Sequence, residues 1–337
     1  MAAFWLSVPF ALSSSKGRRV WQEGFDKLSP GGWQELRSPR GYDWSSITRL
    51  TVISAFHGRR AARITSPPAV PVPCSKIRAP SQSPVHIVAR LRDAGCVYAE
   101  EEARLLIDAK RPHELAALIE QRVAGVPLEY VLGWAEFCGQ RIVLEAGVFI
   151  PRRRTEFLAR QAVELTPPRS TVLDLCCGSG AVGAVLAATV ADIDVLAGDI
   201  DPVAVRCARR NLAPWGGRVR EGDLYAPLPR QMQGRINVLV ANAPYVPSKD
   251  IEALPREARL HEPRRSLDGG PDGLDVQRRV AEQAARWLAP GGHLLMETGE
   301  HQAGTTVEIC RRSGLLPRVA RSDDWDATVV VATSAIR

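Results

Sequence analysis

The chain has 337 residues, enough for two domains of ordinary size, with 45% hydrophobic and 24% charged residues. No apolar run approaches the roughly 20 residues of a membrane span. Seven cysteines without a CxxC pair argue against a disulfide framework and against a structural zinc site, so the expectation is a reducing, cytoplasmic setting and no metal.

The formal charge of +7 hints at nucleic acid until it is divided along the chain. Residues 1–84 hold 12 Lys and Arg against 4 Asp and Glu, a net of +8; residues 85–337 hold 32 against 33, a net of −1. The basicity belongs to the first quarter, and the body has no overall field that would favour DNA or RNA. That quarter also holds Trp5, Trp21, Trp33 and Trp44, and it ends in a run of prolines from Pro67 to Pro73, then Pro80 and Pro84. No period persists in it, so 1–84 reads as a basic, Pro-rich, disordered extension. Ala2 to Leu12 imitates a signal peptide, but it lacks a basic start and Pro9 interrupts it. Two further readings of this arm are a start codon assigned too far upstream and a basic segment that binds nucleic acid or the ribosome.

From 85 to 133 the pattern is that of a small helical N-terminal domain. Val85, Val88, Ala89 and Leu91 open it, and acids cluster at Glu100, Glu101 and Glu102 in what would be a first turn. Leu115, Leu118, Ile119 and Val123 share one helix face. Such a module is too small to hold much core alone and should pack on the rest of the chain. Residues 134–150 alternate short apolar stretches with Gly139 and Gly147 and read as a β-hairpin linker.

Beyond 151, strand-like and helical runs alternate. Strands are expected at 171–175, 195–199, 238–241, 293–297 and 329–332, with a further one before Asp223. Helices are expected at 181–191, 202–212, 276–288 and 302–312. Asp201 followed by Pro202 is a cap and a favoured first helical residue. Repeated βα units imply an α/β fold with a doubly wound, mostly parallel sheet, whose ligands sit beyond the carboxyl ends of the strands.

After the first of those strands come Asp174, Cys176, Cys177, Gly178, Ser179 and Gly180, and Gly183 completes GxGxxG. Glycines there let backbone approach a ligand at a helix N-terminus. Asp199 ends the next strand, 19 residues after Gly180, where a carboxylate can grip ribose hydroxyls. The combination points to a nucleoside cofactor. In the NAD fingerprint the first glycine follows the strand almost at once, whereas here Asp174 and three residues intervene. An acid in that place suits the ammonium of S-adenosylmethionine, or it satisfies loop amides. Cys176 and Cys177 allow a redox role, against the commoner use as small buried apolar groups.

The strand at 238–241 runs into Asn242-Ala243-Pro244-Tyr245. This resembles the (Asn/Asp)-Pro-Pro-(Tyr/Phe) tetrapeptide of methyltransferases acting on planar nitrogens. An amide nitrogen is a poor nucleophile because its lone pair is delocalised. The site must hold its NH2 with two acceptors, the Asn242 side-chain oxygen and the Ala243 carbonyl, beside the Tyr245 ring. Proline is usual at 243; Pro244 still holds residue 243 extended.

The resemblance extends over roughly 85–337, to the protein-(glutamine-N5) methyltransferases, the HemK/PrmC family. It is carried by Pro127 to Gly133, by Phe149 to Glu156, by Glu262-Pro263, and by Leu267 to Leu274 with its Gly-Gly-Pro-Asp-Gly-Leu. Pro290-Gly291-Gly292 and Glu297 to Gln302 complete it. It implies a Rossmann-like S-adenosylmethionine-dependent methyltransferase domain over 151–337, and a protein substrate, the Gly-Gly-Gln loop of a peptide-chain release factor. It also implies that Asp174 and the loop from Cys176 to Gly180 line the methionine end of the cofactor. Asp199 would hold the ribose, Asp223 and Leu224 would flank the adenine, and Asn242 to Tyr245 would take the glutamine amide. On the residues alone, Asp223 also reads as a turn cap and Glu262 as a surface acid. The chain departs from the family pattern at Arg153 and Arg154, at Cys176 in place of a glycine, and over Asp324 to Ala327. Competing readings are the same chemistry on a nucleic-acid adenine or another protein, a cofactor-binding relative with little activity, and, least of all, an NAD oxidoreductase.

Overall fold

A computed structural model of the chain describes residues 83–109 and 113–335. The expectations for the extension up to residue 82 lie outside these residues. Helix α1 (Pro84–Asp93) starts at Ser83, whose hydroxyl accepts from the His86 N–H at 3.4 Å, with Pro84 in the first turn. Pro84, grouped in sequence with the proline run, therefore opens a helix. Helices α2 (Ala99–Asp108), α3 (Leu115–Val123) and α4 (Leu128–Leu132) come next, the last stopped by left-handed Gly133. Ile87, Leu91, Leu106, Leu118 and Ile119 form their small shared core.

Strands β1 (Trp134–Phe137) and β2 (Gln140–Val143) pair antiparallel. Their two-residue turn has positive φ at Cys138 (50°) and Gly139 (73°), the twist that suits a tight hairpin. Residues 144–150 add no strand; Leu144, Val148 and Ile150 pack with Ala135 on Ala204 and Cys207.

The main sheet has seven strands: β3 (Thr171–Leu175), β4 (Asp194–Asp199), β5 (Arg218–Glu221), β6 (Ile236–Ala241), β7 (Leu288–Thr298), β8 (Leu315–Ser322) and β9 (Ala327–Ser334). Their order is β5-β4-β3-β6-β7-β9-β8. The first five are parallel, and β9 runs antiparallel to both β7 and β8. Helices α5 (Thr155–Glu164), α6 (Ala181–Thr189) and α7 (Pro202–Leu212) cover one face. Helices α9 (Asp275–Trp287) and α10 (Ala303–Arg312) cover the other; the short α8 (Arg256–His261) lies in the segment after β6.

Side-chain alternation sorts the strands. Val172, Val195, Val238 and Val240 face α5–α7, while Leu173, Leu175, Leu196 and Leu239 face α9 and α10. Both faces are covered, so the central strands are nearly all apolar. Asp174 falls on the α6 side by the same period. Burial of such a Leu or Val contributes about 1.5–3 kcal/mol.

Four elements depart from the sequence expectation. Strand β7 begins at Leu288, five residues early, because the Pro290-Gly291-Gly292 run is absorbed as an irregularity in the β6 pairing. A Cβ on Gly292 would lie 2.8 Å from the Ile236 carbonyl oxygen. Strand β8 and helices α5 and α8 had no place in the expected order. Among the described residues, no helix is long and apolar enough to cross a membrane.

Candidate active site

The carboxyl ends of β3, β4 and β6 open on a cleft of about 1480 Å³. Asp174 lines it and is 2% exposed. Its Oδ2 accepts from the Gly183 N–H at 3.0 Å, which ties β3 to α6. Burial pushes its carboxyl up to about 7, against the pull of that hydrogen bond. Asp174 therefore satisfies an amide in the first turn of α6, not one of the loop, and also faces the cleft.

Asp199 is engaged by the backbone on both of its oxygens. Its Oδ2 accepts from the Gly178 N–H and its Oδ1 from the Asp201 N–H, each at 2.9 Å. The carboxylate thus holds the glycine loop to the end of β4. Burial raises its pKa, and those backbone hydrogen bonds lower it. Each oxygen keeps a second lone pair for a ligand hydroxyl.

The loop needs its glycines for different reasons. Gly178 has φ 55°, and an added Cβ would meet nothing nearer than Phe149 Cβ at 4.0 Å, so it leaves room beside the cleft. Gly180 does not line the cleft; its missing Cβ allows close packing on α7, with Ala208 Cβ only 3.0 Å away. Cys176 stands at φ 54°, a left-handed conformation that favours glycine, which explains why the family pattern has one there. Cys176, Cys177 and Ser179 line the cleft. Both thiols are pushed up by burial and by neighbouring acids, which disfavours thiolate and with it a redox role. Asn211 on α7 joins this loop to the hairpin. Its Nδ2 donates to the Ser179 and Val143 carbonyls, and its Oδ1 accepts from the Val143 N–H.

Asp223 and Leu224 lie past β5 on the same cleft. Asp223 pairs with Arg279 of α9 at 2.5 Å, so its side chain joins two walls rather than capping a turn. Leu224 is buried at φ 48°.

Asn242, Ala243, Pro244 and Tyr245 leave β6 at the opposite lip. Asn242 Nδ2 donates to Thr155 Oγ1 at 3.2 Å, and the Tyr245 hydroxyl donates to Glu297 Oε1 at 3.0 Å. Burial, then the nearby Glu297 carboxylate, push the Tyr245 hydroxyl well above its ordinary pKa. The tetrapeptide is braced from behind. Gln302 Nε2 donates to the Tyr245 and Asp272 carbonyls, at 2.9 Å each. Gly269 N–H donates to the Val246 carbonyl at 2.9 Å. A Cβ on Gly269 would sit 2.6 Å from the Pro244 carbonyl oxygen, and one on Gly273 would sit 2.3 Å from that of Tyr245. The glycine-rich run thus abuts the backbone of the tetrapeptide. Sequence reasoning missed Thr155, Gln302 and Glu297 as individual site residues, although each lies in a stretch that carries the family resemblance.

A third wall is ionic. Arg152 meets Glu262 at 2.5 Å, and Arg122 of α3 meets Glu102 at 2.6 Å and Glu257 at 2.7 Å. Glu262 is 6% exposed, so it is a buried partner and not a surface acid. Burial pushes neighbouring Glu129 up to about 7.

These features fit S-adenosylmethionine. A buried carboxylate suits an ammonium, the open space at Gly178 suits close approach, and acids at two strand ends suit a nucleoside. Five parallel strands in this order, followed by an antiparallel pair, with such a site at their carboxyl ends, define a Rossmann-like S-adenosylmethionine-dependent methyltransferase. A family model, the methyltransferase small domain, matches residues 141–270. The chain is 41% identical over 208 residues to the release factor glutamine methyltransferase of Geobacter sulfurreducens, covering 60% of this chain and 72% of that protein. It is 35% identical over 225 residues to the enzyme of the same name from Mycolicibacterium smegmatis, 65% and 79% of the two chains. It is also 36% identical over 203 residues to a 4-amino-L-phenylalanine/4-methylamino-L-phenylalanine methyltransferase of Streptomyces pristinaespiralis, 58% and 69%. The chain belongs to the release factor glutamine methyltransferase family.

Proposed function

We propose that this enzyme methylates the side-chain nitrogen of a glutamine in a protein, the Gly-Gly-Gln loop of a peptide-chain release factor. The observation that carries this is the setting of Asn242. Its Nδ2 is engaged by Thr155, which leaves Oδ1 as the acceptor for one proton of a substrate NH2. The Ala243 carbonyl would take the other. S-adenosylmethionine supplies an electrophilic methyl group on sulfur. The chain's own residues hold the amide in one plane and one orientation; as the N–C bond forms the methyl–sulfur bond would break to leave a neutral thioether, and the nitrogen would lose its proton to solvent. Positioning and fixed dipoles, without a strong base, supply the gain.

In this reading Asp174 and residues 176–179 hold the methionine end, with Gly180 packed behind them on α7, Asp199 holds the ribose, and Asp223 with Leu224 the adenine. The helical segment 85–133 and the hairpin linker 134–150 form the wall that meets the protein substrate, and 151–337 carries the chemistry. A cytoplasmic setting goes with that substrate, and the near-neutral body offers nucleic acid no basic groove.

The likeness to an enzyme named for an aromatic amine favours a second reading, a small molecule whose NH2 is conjugated to a ring. Transfer of labelled methyl from S-adenosylmethionine separates them. The expected acceptor is a release factor with Gly-Gly-Gln and not its Gly-Gly-Ala variant. Label on 4-aminophenylalanine alone would establish the second reading. Asn242→Ala should abolish turnover and leave cofactor affinity within several-fold; normal turnover would remove Asn242 from the reaction.

A further inference from the structure

The helical segment has a core of its own. Ile87, Leu91, Leu106, Leu118 and Ile119 cluster apart from the residues packed on the two faces of the sheet. Arg122 of α3 reaches out of that small core. It is 9% exposed, and its guanidinium donates to two carboxylates and a carbonyl. Nε and one terminal nitrogen grip Glu102 of α2 in a fork, at 2.6 and 3.2 Å. The other terminal nitrogen donates to Glu257 Oε1 at 2.7 Å and to the Val126 carbonyl at 3.2 Å. Glu257 belongs to α8, 135 residues further along the chain.

Helix α8 lies on an excursion of the chain that starts and ends beside the tetrapeptide. Val246, next after Tyr245, donates its N–H to the Leu267 carbonyl at 3.0 Å, and the Ser248 N–H donates to the Gly270 carbonyl at 2.9 Å. Between those ends the excursion has two ionic ties. Glu262 meets Arg152 at 2.5 Å, at the start of the methyltransferase domain, and Glu257 meets Arg122 in the helical segment. Glu102, Arg122, Glu257 and Glu262 all line the cleft. A guanidinium is a rigid planar fork. Held from behind by both oxygens of Glu102, it points its remaining donors in one direction, and so sets where α8 stands relative to α2 and α3.

We propose that Arg122 and Glu257 are positioning residues whose ion pair sets the spacing between the helical segment and α8 along the ionic wall of the cleft, and so governs the fit of a folded protein acceptor and not that of the cofactor. This rests on the reading above in which segment 85–133 meets the protein substrate.

The test uses the full chain as wild type, Glu257→Asp, Glu257→Gln, Glu257→Ala and Glu257→Lys. Glu257 is the site to vary, because its side chain is 45% exposed, whereas removing Arg122 would strand the buried carboxylate of Glu102. The acceptor is a Gly-Gly-Gln release factor. The readouts are KM, kcat, S-adenosylmethionine affinity and, in the free enzyme, amide exchange of α3 and α8. Loss of a partly exposed ion pair should raise KM about 3–5-fold in Glu257→Gln and Glu257→Ala alike, and the like charge of Glu257→Lys should raise it at least about tenfold. Glu257→Asp keeps the charge and should hold KM within about twofold, and kcat and cofactor affinity should stay within about twofold throughout. Exchange of α3 and α8 should quicken in the same order. A KM that follows side-chain size in place of charge, or a Glu257→Lys KM within about twofold of wild type, would overturn the inference. So would a raised KM with unchanged exchange, which would mean that Glu257 touches the acceptor itself. A wild type that methylates no release factor sinks the functional reading, while exchange in the free enzyme still judges the pair.

Discussion

Removing the Asp199 carboxylate should loosen the glycine loop even when no cofactor is bound. Two charge-assisted hydrogen bonds of 2.9 Å end on it, from Gly178 and Asp201. Such bonds are each worth about 1.5–3 kcal/mol, a gross loss of about 3–6 kcal/mol in Asp199→Ala. Two effects offset part of it. A carboxylate whose burial raises its pKa is no longer held in the fold, and water in the cleft can reach Gly178. A net loss of about 2–3 kcal/mol remains, and at about 2–4 °C per kcal/mol for a domain of this size the melting point should fall by about 4–12 °C. Calorimetric melting of cofactor-free protein measures this directly, with S-adenosylmethionine titration alongside to record an affinity loss of at least about tenfold. Asp199→Asn should fall between, because its oxygen can keep one amide while its NH2 must face the other. A cofactor-free Asp199→Ala that melts with the wild type, yet binds cofactor weakly, would refute the loop-holding role and leave Asp199 as a ligand group alone.

Asp174 must be ionised to hold an ammonium, and burial places its pKa at about 7. Cofactor affinity should therefore fall about tenfold between pH 8 and pH 6, and Asp174→Asn should flatten that limb; a wild-type affinity independent of pH would remove Asp174 from the ammonium site. The same shift has the opposite sense for cofactor-free stability, since the fold favours the protonated acid. That contribution is full below about pH 4 and is lost as pH rises through about 7, so melting of Asp174→Asn should depend less on pH across this window. Gly273→Ala forces a Cβ to within 2.3 Å of the Tyr245 carbonyl oxygen at φ 81°. The tetrapeptide must shift by about 1 Å, which should lower kcat by roughly 100-fold with cofactor affinity unchanged; a normal kcat would show that the brace is dispensable. Ala243→Pro restores the family residue at a position whose N–H makes no hydrogen bond among the described residues. It should raise stability by about 0.4–1 kcal/mol and keep or raise kcat, as a melting curve and a methyl-transfer assay would report; a lower melting point would mean that the ring collides in a buried position.

The elements legible in the sequence were those with a strong local code. Thr171 to Leu175 is an apolar run ending in a glycine turn, and Asp201-Pro202 caps a helix, with Asp201 Oδ1 accepting from Val203 at 2.8 Å. Strand β8 was illegible because it is an edge strand. Leu315 to Ser322 carries Pro317, Arg318 and Arg321, residues that guard an edge and blur any alternation. Helix α5 was illegible because Arg154 at its start gives no side-chain cap.

The sequence by itself determined the α/β class, the cofactor loop and the tetrapeptide, because each is written in neighbouring residues through periodicity, glycine and proline. Tertiary structure alone decided how the site is held. Thr155 meets Asn242 across 87 residues of chain, Glu297 meets Tyr245 across 52, and Gln302 meets the Tyr245 carbonyl across 57. Those partners are chosen by the strand order β3-β6-β7 and by the packing of α5 over it, and no local pattern encodes which distant side chain a buried amide or hydroxyl will find.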